Sequence, residues 1–217
     1  MTDFATRRTM MVDAQIRPAD VTKFPIIDAM LSVPRENFVP HDLREAAYLG
    51  ENVDIGEGRV LLEPRTLAKA LDALEPEPEE LALVVAAGTG YSAAVMARMV
   101  EAVIALEGDE ALCKEAQNAL TEIGADNAVV ETGAPEAGAP DHGPYDIIFI
   151  DGAVEQVPEA LTDQLKEGGR IAALIVEGKL GTVKIGHKSG GKTHWRFAFN
   201  AFAPVLPGFE KAKTFAL

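Results

Sequence analysis

From residue 81 onward, short apolar runs alternate with helical segments, and this alternation constrains the fold more than any other feature. The runs are bounded by turn residues and are too short for typical helices. Apolar strands separated by helices are typical of a parallel sheet that is covered on both faces. We therefore predict strands at 81–86, 102–107, 128–131, 145–150 and 170–176, with helices at 91–99, 109–123 and 158–166.

The end of the chain has a different pattern. Residues 182–187 and 195–204 alternate in polarity, and the loop 188–192 contains two glycines, which predicts an antiparallel pair. The predicted fold class is therefore α/β, a doubly wound sheet that is mostly parallel and ends in an antiparallel pair. Residues 1–78 are expected to form a helical N-terminal region, with an irregular segment at 50–58 and a helix that opens at 63–65 and carries Leu67, Leu71 and Leu74. The acidic connector 75–80 leads into a core at 79–217. We expect the two parts to form one compact unit.

Composition narrows the function classes. The formal net charge of −14 over 217 residues disfavours binding to nucleic acid or to anionic lipid. No run of 18 apolar residues is present, which argues against a membrane span. Cys113 is the only cysteine, so an internal disulfide is impossible, and we expect Cys113 to be a structural thiol. No secretory signal is recognisable, and a cytoplasmic location is expected.

A glycine-rich turn follows the first predicted strand of the core. Gly88 and Gly90 come between that strand and the next helix, where glycines let a ligand approach the backbone. Glu107 closes the following strand, where an acid can accept hydrogen bonds from ribose hydroxyls. The pattern indicates an adenosine-containing cofactor. Spacing alone leaves S-adenosylmethionine and a nicotinamide cofactor open, and glycines that only form the corner are the simplest alternative.

Several separated segments, in order, resemble the protein-L-isoaspartate O-methyltransferases over about Met11 to Phe209. The segment 28–40, Asp-Ala-Met-Leu-Ser-Val-Pro-Arg-Glu-Asn-Phe-Val-Pro, is similar to a characteristic block of that family. Residues 11–17, 43–48, 90–97, 157–161 and 164–170 resemble further family segments. No single segment is specific, but their order is what identifies the chain as a member.

The resemblance implies a Rossmann-like core that binds S-adenosylmethionine. It implies methyl transfer to the carboxylate of isoaspartyl residues in damaged proteins, after which the ester closes to a succinimide. It also implies a monomer. The expected cofactor-binding residues are Ala86, Gly88, Thr89, Gly90, Tyr91, Glu107, Ala134 and Asp151.

The chain departs from the family pattern at both substrate motifs. An acid and a glycine usual in the donor loop are replaced by Val84 and Ala86, and the acid of a later Gly-Asp-Gly by Ala134. The family's acceptor sequence Gln-Thr-Ile-Ser reads Arg-Val-Leu-Leu at 59–62. No catalytic residue is assigned, and the acceptor-loop candidates are Arg59, Val60, Leu62, Glu63 and Arg65. For the two arginines, exposure to solvent is the simpler expectation.

Three other functions compete with this interpretation. The lost polar residues would suit a non-catalytic relative that binds or scaffolds. A nicotinamide-dependent oxidoreductase would fit the glycine turn, but no Tyr-x-x-x-Lys signature is present. Asp151 ends a strand as a metal ligand does in catechol-type O-methyltransferases, but Glu177 stands where their Asp-Asn pair would be. We therefore expect no metal site, and the histidines have no zinc-site spacing.

Overall fold

The computed structural model describes residues 3–211 as six α-helices, nine strands and several short 3-10 or π turns. The helices are α1 (Phe4–Met11), α2 (Phe24–Ser32), α3 (Pro64–Leu74), α4 (Tyr91–Met96), α5 (Glu110–Glu122) and α6 (Glu159–Asp163). The strands are β1 (Val53–Gly56), β2 (Arg59–Leu61), β3 (Leu81–Val85), β4 (Ala102–Glu107), β5 (Ala128–Thr132), β6 (Tyr145–Val154), β7 (Leu165–Glu177), β8 (Leu180–Ser189) and β9 (Lys192–Asn200).

Seven strands form one sheet in the order β5-β4-β3-β6-β7-β8-β9. The first five in that order run parallel, and β8 and β9 are antiparallel to their neighbours. The fold-class prediction, a mostly parallel doubly wound sheet with an antiparallel C-terminal pair, is confirmed. Strand β6 is longer than predicted, because its pairing with β7 resumes beyond a bulge at Ala153↔Leu174 and Val154↔Ile175. Strand β7 begins earlier than predicted, at Leu165 opposite Tyr145, so the helix predicted over 158–166 ends at Asp163.

The centre of the sheet is covered on both faces. In β3, Ala82 and Val84 pack into one apolar cluster with the N-terminal helices, while Leu83 and Val85 pack into a second cluster on the opposite face. All four side chains are fully buried. Because successive side chains of a strand point to opposite faces, a continuous apolar run is what a sheet covered on both sides requires.

Helix capping fixes the segment that follows β4. Asp109 precedes α5, and its Oδ1 accepts hydrogen bonds from the backbone N–H groups of Ala111 and Leu112, both at 2.9 Å. Such a cap satisfies N–H groups that have no partner within the helix. The cap therefore fixes the start of α5, shortly after β4 ends at Glu107 beside Thr132 of β5.

The N-terminal region contains one element that the sequence pattern missed. Residues 50–58 were expected to be irregular, but β1 and β2 pair as a separate antiparallel hairpin with a bulge between Asp54 and Gly56. The predicted helix after this hairpin is confirmed as α3, with Pro64 in its first turn. Within residues 3–211, no helix is long and apolar enough to cross a membrane.

The acidic connector between α3 and β3 is held against the sheet by Arg170 of β7. Its Nε donates to the carbonyl of Leu74 at 2.8 Å, and Nη2 donates to the carbonyl of Glu75 at 2.6 Å. Arg170 also forms an ion pair with Glu80. These contacts join the N-terminal region to the core at the amino ends of the strands, the edge opposite the glycine turn.

Candidate functional site

In the glycine turn after β3, every second residue from 86 to 90 lies in the left-handed backbone region. The φ angles of Ala86, Gly88 and Gly90 are 57°, 55° and 92°. Glycine adopts this region without steric cost, whereas alanine in it is strained. A hydrogen bond from the N–H of Ala87 to the carbonyl of Leu106, at 3.0 Å, fastens the turn to the end of β4. The turn therefore lies directly beside Glu107.

Glu107 is fully buried, and both of its carboxylate oxygens are engaged. Oε1 accepts hydrogen bonds from the N–H groups of Gly108 and Asp109 at 2.7 and 3.1 Å. Oε2 accepts one from the N–H of Gly88 at 2.9 Å. These bonds explain how an acidic side chain can be buried at this position, since a buried charge requires hydrogen-bonding partners.

Arg59, on β2, completes the environment of this carboxylate. Its Nε lies 3.0 Å from Oε2 of Glu107 and its Nη2 lies 2.9 Å from Oε1, a bidentate arrangement. The Arg59 side chain is 7% exposed and that of Glu107 0%. The expectation that Arg59 is exposed to solvent is wrong. A planar guanidinium matches a carboxylate in two bonds, and that match favours the buried pair over a solvated arginine.

The hairpin also covers the turn with an apolar side chain. A Cβ placed on Gly88 would lie 2.7 Å from Cδ1 of Ile55 and 4.0 Å from Cβ of Arg59. Gly88 is thus required where it stands, because the hairpin packs against its backbone. The close approach that glycine permits here is used by the protein's own hairpin.

Asp151, the other predicted acid, lies in β6, next to β3 in the sheet. It is buried, and its Oδ1 has no hydrogen-bond partner among the described residues. Burial raises the pKa of Asp151 to about 7, against the lowering effects of the Ser92 hydroxyl and of the positive charge of Arg35. A carboxyl group with this pKa is partly protonated near neutral pH.

Thr89 and Tyr91, which are also donor-loop candidates, pack against residues outside the loop. Thr89 donates its hydroxyl to the carbonyl of Phe38 at 2.6 Å, and Tyr91 packs edge-on against the Phe38 ring at 5.5 Å. The guanidinium of Arg35 lies 4.8 Å from the centre of the Tyr91 ring. These contacts link the 28–40 block to the glycine turn. Ala134 is exposed, in the segment whose Pro135 neighbours Gly108.

The acceptor-loop candidates do not converge on one place. Leu62 is buried, and its carbonyl accepts a hydrogen bond from Nη2 of Arg35 at 2.7 Å. Glu63 precedes α3 and accepts a bond from the Thr66 hydroxyl at 3.0 Å. The Arg65 side chain is 43% exposed and lies 3.5 Å from Glu63, as expected for a partly solvated arginine. Val60 is only half-buried.

Two residues of the site were missed by sequence reasoning. Arg35 was quoted only as part of a family block, yet it is fully buried and its Nε donates to the carbonyl of Ala47 at 2.5 Å. Ile55 was placed in an irregular segment. The alternation of Val53 with Ile55 before Glu57-Gly58 is a hairpin signal that could have identified it. In the described part of the chain, no group of three or more acidic, His or Cys side chains is arranged to hold a metal.

Comparison with known proteins gives a consistent result. The sequence model of the family "Protein-L-isoaspartate(D-aspartate) O-methyltransferase (PCMT)" matches residues 6–201. A protein-L-isoaspartate O-methyltransferase of Roseiflexus castenholzii is 35% identical over 208 residues, 95% of this chain and 94% of the relative. One of Pelotomaculum thermopropionicum is 37% identical over 171 residues, 79% of this chain and 75% of the relative.

Solved structures agree with this fold. A protein-L-isoaspartate O-methyltransferase superposes with a TM-score of 0.81 at 26% identity, over 93% of this chain. The present chain spans 66% of that solved chain. A Plasmodium falciparum structure assigned to the same family, in complex with S-adenosyl-L-homocysteine, has a TM-score of 0.79 at 20% identity, over 95% and 99% of the two chains. At that identity the second match supports the fold alone.

Proposed function

The chain belongs to the protein-L-isoaspartate(D-aspartate) O-methyltransferase family, and on that premise we propose that it methylates isoaspartyl carboxylates of damaged proteins with S-adenosylmethionine as the donor. The observation that carries the proposal is the family match over residues 6–201, which includes the acceptor hairpin as well as the sheet. Membership also decides between the two adenosine cofactors that spacing left open, in favour of S-adenosylmethionine.

The donor would bind at the carboxyl edge of the sheet, between the glycine turn and the end of β4. In a Rossmann-type sheet, an acid at the position of Glu107 accepts hydrogen bonds from ribose hydroxyls. As the residues stand, however, the donor does not fit. Arg59 and three backbone N–H groups occupy the Glu107 carboxylate, and Ile55 lies against Gly88. Donor binding therefore requires the hairpin to be elsewhere.

The acceptor chemistry places few demands on the chain. A carboxylate is ionised at neutral pH and is already a nucleophile, so no strong general base is needed. Binding must hold it in line with the methyl group, and such positioning accounts for much of the rate enhancement in reactions of this kind. At the acceptor motif, Val60 and Leu62 offer no side-chain hydrogen bond. We propose that the neighbouring backbone contributes the polar contacts.

We further propose that residues 1–78 and 79–217 act as one unit, as a monomer in the cytoplasm, without binding nucleic acid. The Arg170 contacts with the connector support the first point. The net charge of −14 supports the absence of nucleic-acid binding, because phosphate backbones are repelled by such a surface.

The test uses two synthetic peptides of identical sequence, one with an isoaspartyl residue and one with a normal aspartyl residue. Each is incubated with the protein and methyl-labelled S-adenosylmethionine, and base-labile methyl ester is counted. We expect ester on the isoaspartyl peptide alone. Ester on neither peptide, at donor concentrations up to the millimolar range, would refute the proposal in favour of a non-catalytic relative. Equal labelling of both would show a changed acceptor.

A further inference from the structure

We propose that the β1–β2 hairpin holds the donor site shut through Arg59, which occupies the Glu107 carboxylate that the donor ribose would need, so that donor binds only to a form in which this contact is broken. The inference rests on the proposed function, since it concerns regulation of the same site. It makes Arg59 an internal competitor of the donor.

The hydrogen bonds of Glu107 leave no acceptor position free. Its two oxygens receive five hydrogen bonds, two from Arg59 and one each from Gly88, Gly108 and Asp109. An ionised carboxylate offers about four lone-pair positions. The backbone donors belong to the turn and to the start of α5, so they remain in any folded form. Only the two guanidinium bonds can be given up, so ribose hydroxyls could reach this carboxylate only in their place.

The hairpin also fills the space beside the glycine turn. Gly88 and Glu107 are buried, and Ile55 approaches the turn so closely that a Cβ on Gly88 would be 2.7 Å from its Cδ1. Ile55 and Arg59 belong to the two different strands of the hairpin. Displacing the hairpin as a whole would therefore free the carboxylate and the turn together.

The hairpin can leave the turn without breaking a strand pairing of the seven-stranded sheet. Strands β1 and β2 have four and three residues and pair only with each other, apart from the seven-stranded sheet. A two-stranded hairpin of this size has little stability of its own. Nη1 of Arg59 is buried without a partner among the described residues, a cost that hydration in an open form would remove.

The closed form reduces donor affinity by mass action. When only a fraction of molecules is open, the apparent dissociation constant equals the intrinsic constant divided by that fraction. A substitution that weakens the closed form must then tighten binding, although it deletes side-chain atoms from the site. An ordinary binding residue would have the opposite effect.

The experiment is calorimetric titration of the full chain with S-adenosylhomocysteine, comparing the wild-type protein with Arg59→Gln and Ile55→Ala. The matched control is Arg65→Gln, which removes a partly exposed arginine from the same region. Far-UV circular dichroism confirms that each protein is folded. We expect Arg59→Gln to bind at least about tenfold more tightly than the wild type, Ile55→Ala about threefold, and Arg65→Gln within about twofold.

The outcomes separate this inference from the proposed function. If the wild type and Arg59→Gln bind equally, or the wild type binds more tightly, the closed-site inference is overturned while the proposed function stands. If neither folded protein binds, both are overturned, because removing Arg59 has failed to open a donor site. Should Arg59→Gln fail to fold, Ile55→Ala decides, and unchanged or weaker binding by that variant overturns the inference.

Discussion

Arg59 and Glu107 are 48 residues apart in the sequence and form a bidentate ion pair in the interior, with N–O distances of 2.9 and 3.0 Å. One member comes from the acceptor motif and the other from the donor motif. The acceptor loop and the donor side of the site are therefore joined in this chain by a direct contact. In the closed form the pair therefore links the two sides of the site, and breaking it bears on stability as well as on binding.

The first prediction concerns the stability of this pair. Glu107→Gln leaves a buried guanidinium without its counter-charge, and breaking a buried pair in this way typically costs roughly 3–5 kcal/mol. Arg59→Gln should cost less, roughly 1–3 kcal/mol, because three backbone N–H groups still solvate Glu107. Urea unfolding of both single variants and the double variant measures the free energies.

The single and double variants together give the coupling energy of the buried pair, and a second double-mutant cycle on Arg65 and Glu63 is the control. We expect a coupling energy above about 1 kcal/mol between Arg59 and Glu107, because the two side chains are in contact. The partly exposed pair Arg65 and Glu63 should give less than about 1 kcal/mol, since water screens it. Additive effects within about 0.5 kcal/mol at the buried pair would show that it does not stabilise the fold.

The second prediction is a pH dependence caused by Asp151. Its folded pKa, about 7, lies above the ordinary value of 3.8. Between these values the folded state holds a proton that the unfolded state has lost. The stabilisation is therefore complete below about pH 4 and disappears as pH rises toward 7, with a slope of up to about 1.4 kcal/mol per pH unit.

Asp151→Asn removes this titration. The difference in unfolding free energy between Asp151→Asn and the wild type should grow in favour of the variant from about pH 4 to about pH 7. Taking the difference cancels the contributions of the titratable groups that both proteins share. Parallel curves for the two proteins would mean that Asp151 is ionised throughout the range in the folded state.

The third prediction concerns strain in the glycine turn. Ala86 has a φ of 57°, and an L-residue in the left-handed region is disfavoured by roughly 1–2 kcal/mol. Ala86→Gly relieves this strain and should be less destabilising, by roughly 1–2 kcal/mol, than Ala105→Gly. Ala105 is a matched control because it is equally buried, in β4, without a left-handed φ. Equal destabilisation by the two changes, measured by urea unfolding, would contradict the prediction.

The fourth prediction is that Cys113 reacts slowly with thiol reagents. The residue is buried in α5, and its thiol donates to the carbonyl of Glu107 at 3.4 Å. Burial raises the pKa of this thiol above its usual value, which lowers the thiolate fraction. Modification by an aromatic disulfide at pH 8 should be slow in the native protein and fast in urea. Comparable rates in both would show that α5 opens readily.

The sheet was predictable from sequence because its signals are local. Strand β4 was predicted at its observed bounds, since a continuous apolar run between turn residues has few other structures available. Glu107 was recognised because its place at the end of such a strand is readable from the chain. Cys113 was expected to be a structural thiol because no histidine or cationic cluster flanks it in the sequence, and the structure buries it in α5.

The contact between the hairpin and the donor site could not be predicted from local sequence signals. The hairpin has two strands of only four and three residues, and Glu57 and Gly58, both with positive φ, form its turn. Nothing near Arg59 in sequence indicates a partner 48 residues away. Arg59 was therefore assigned to solvent, as most arginines are. Only the packing of the hairpin onto the turn reveals the pair.

The most direct test of the account measures methyl ester formation on the isoaspartyl peptide against donor concentration, for the wild type and for Arg59→Gln. The account predicts that both proteins methylate the peptide, with a donor KM about tenfold lower for Arg59→Gln and a kcat that changes far less. Ester formation by the wild type with a donor KM equal to or below that of Arg59→Gln would contradict the closed site. Absence of ester with both proteins would contradict the methyltransferase function itself.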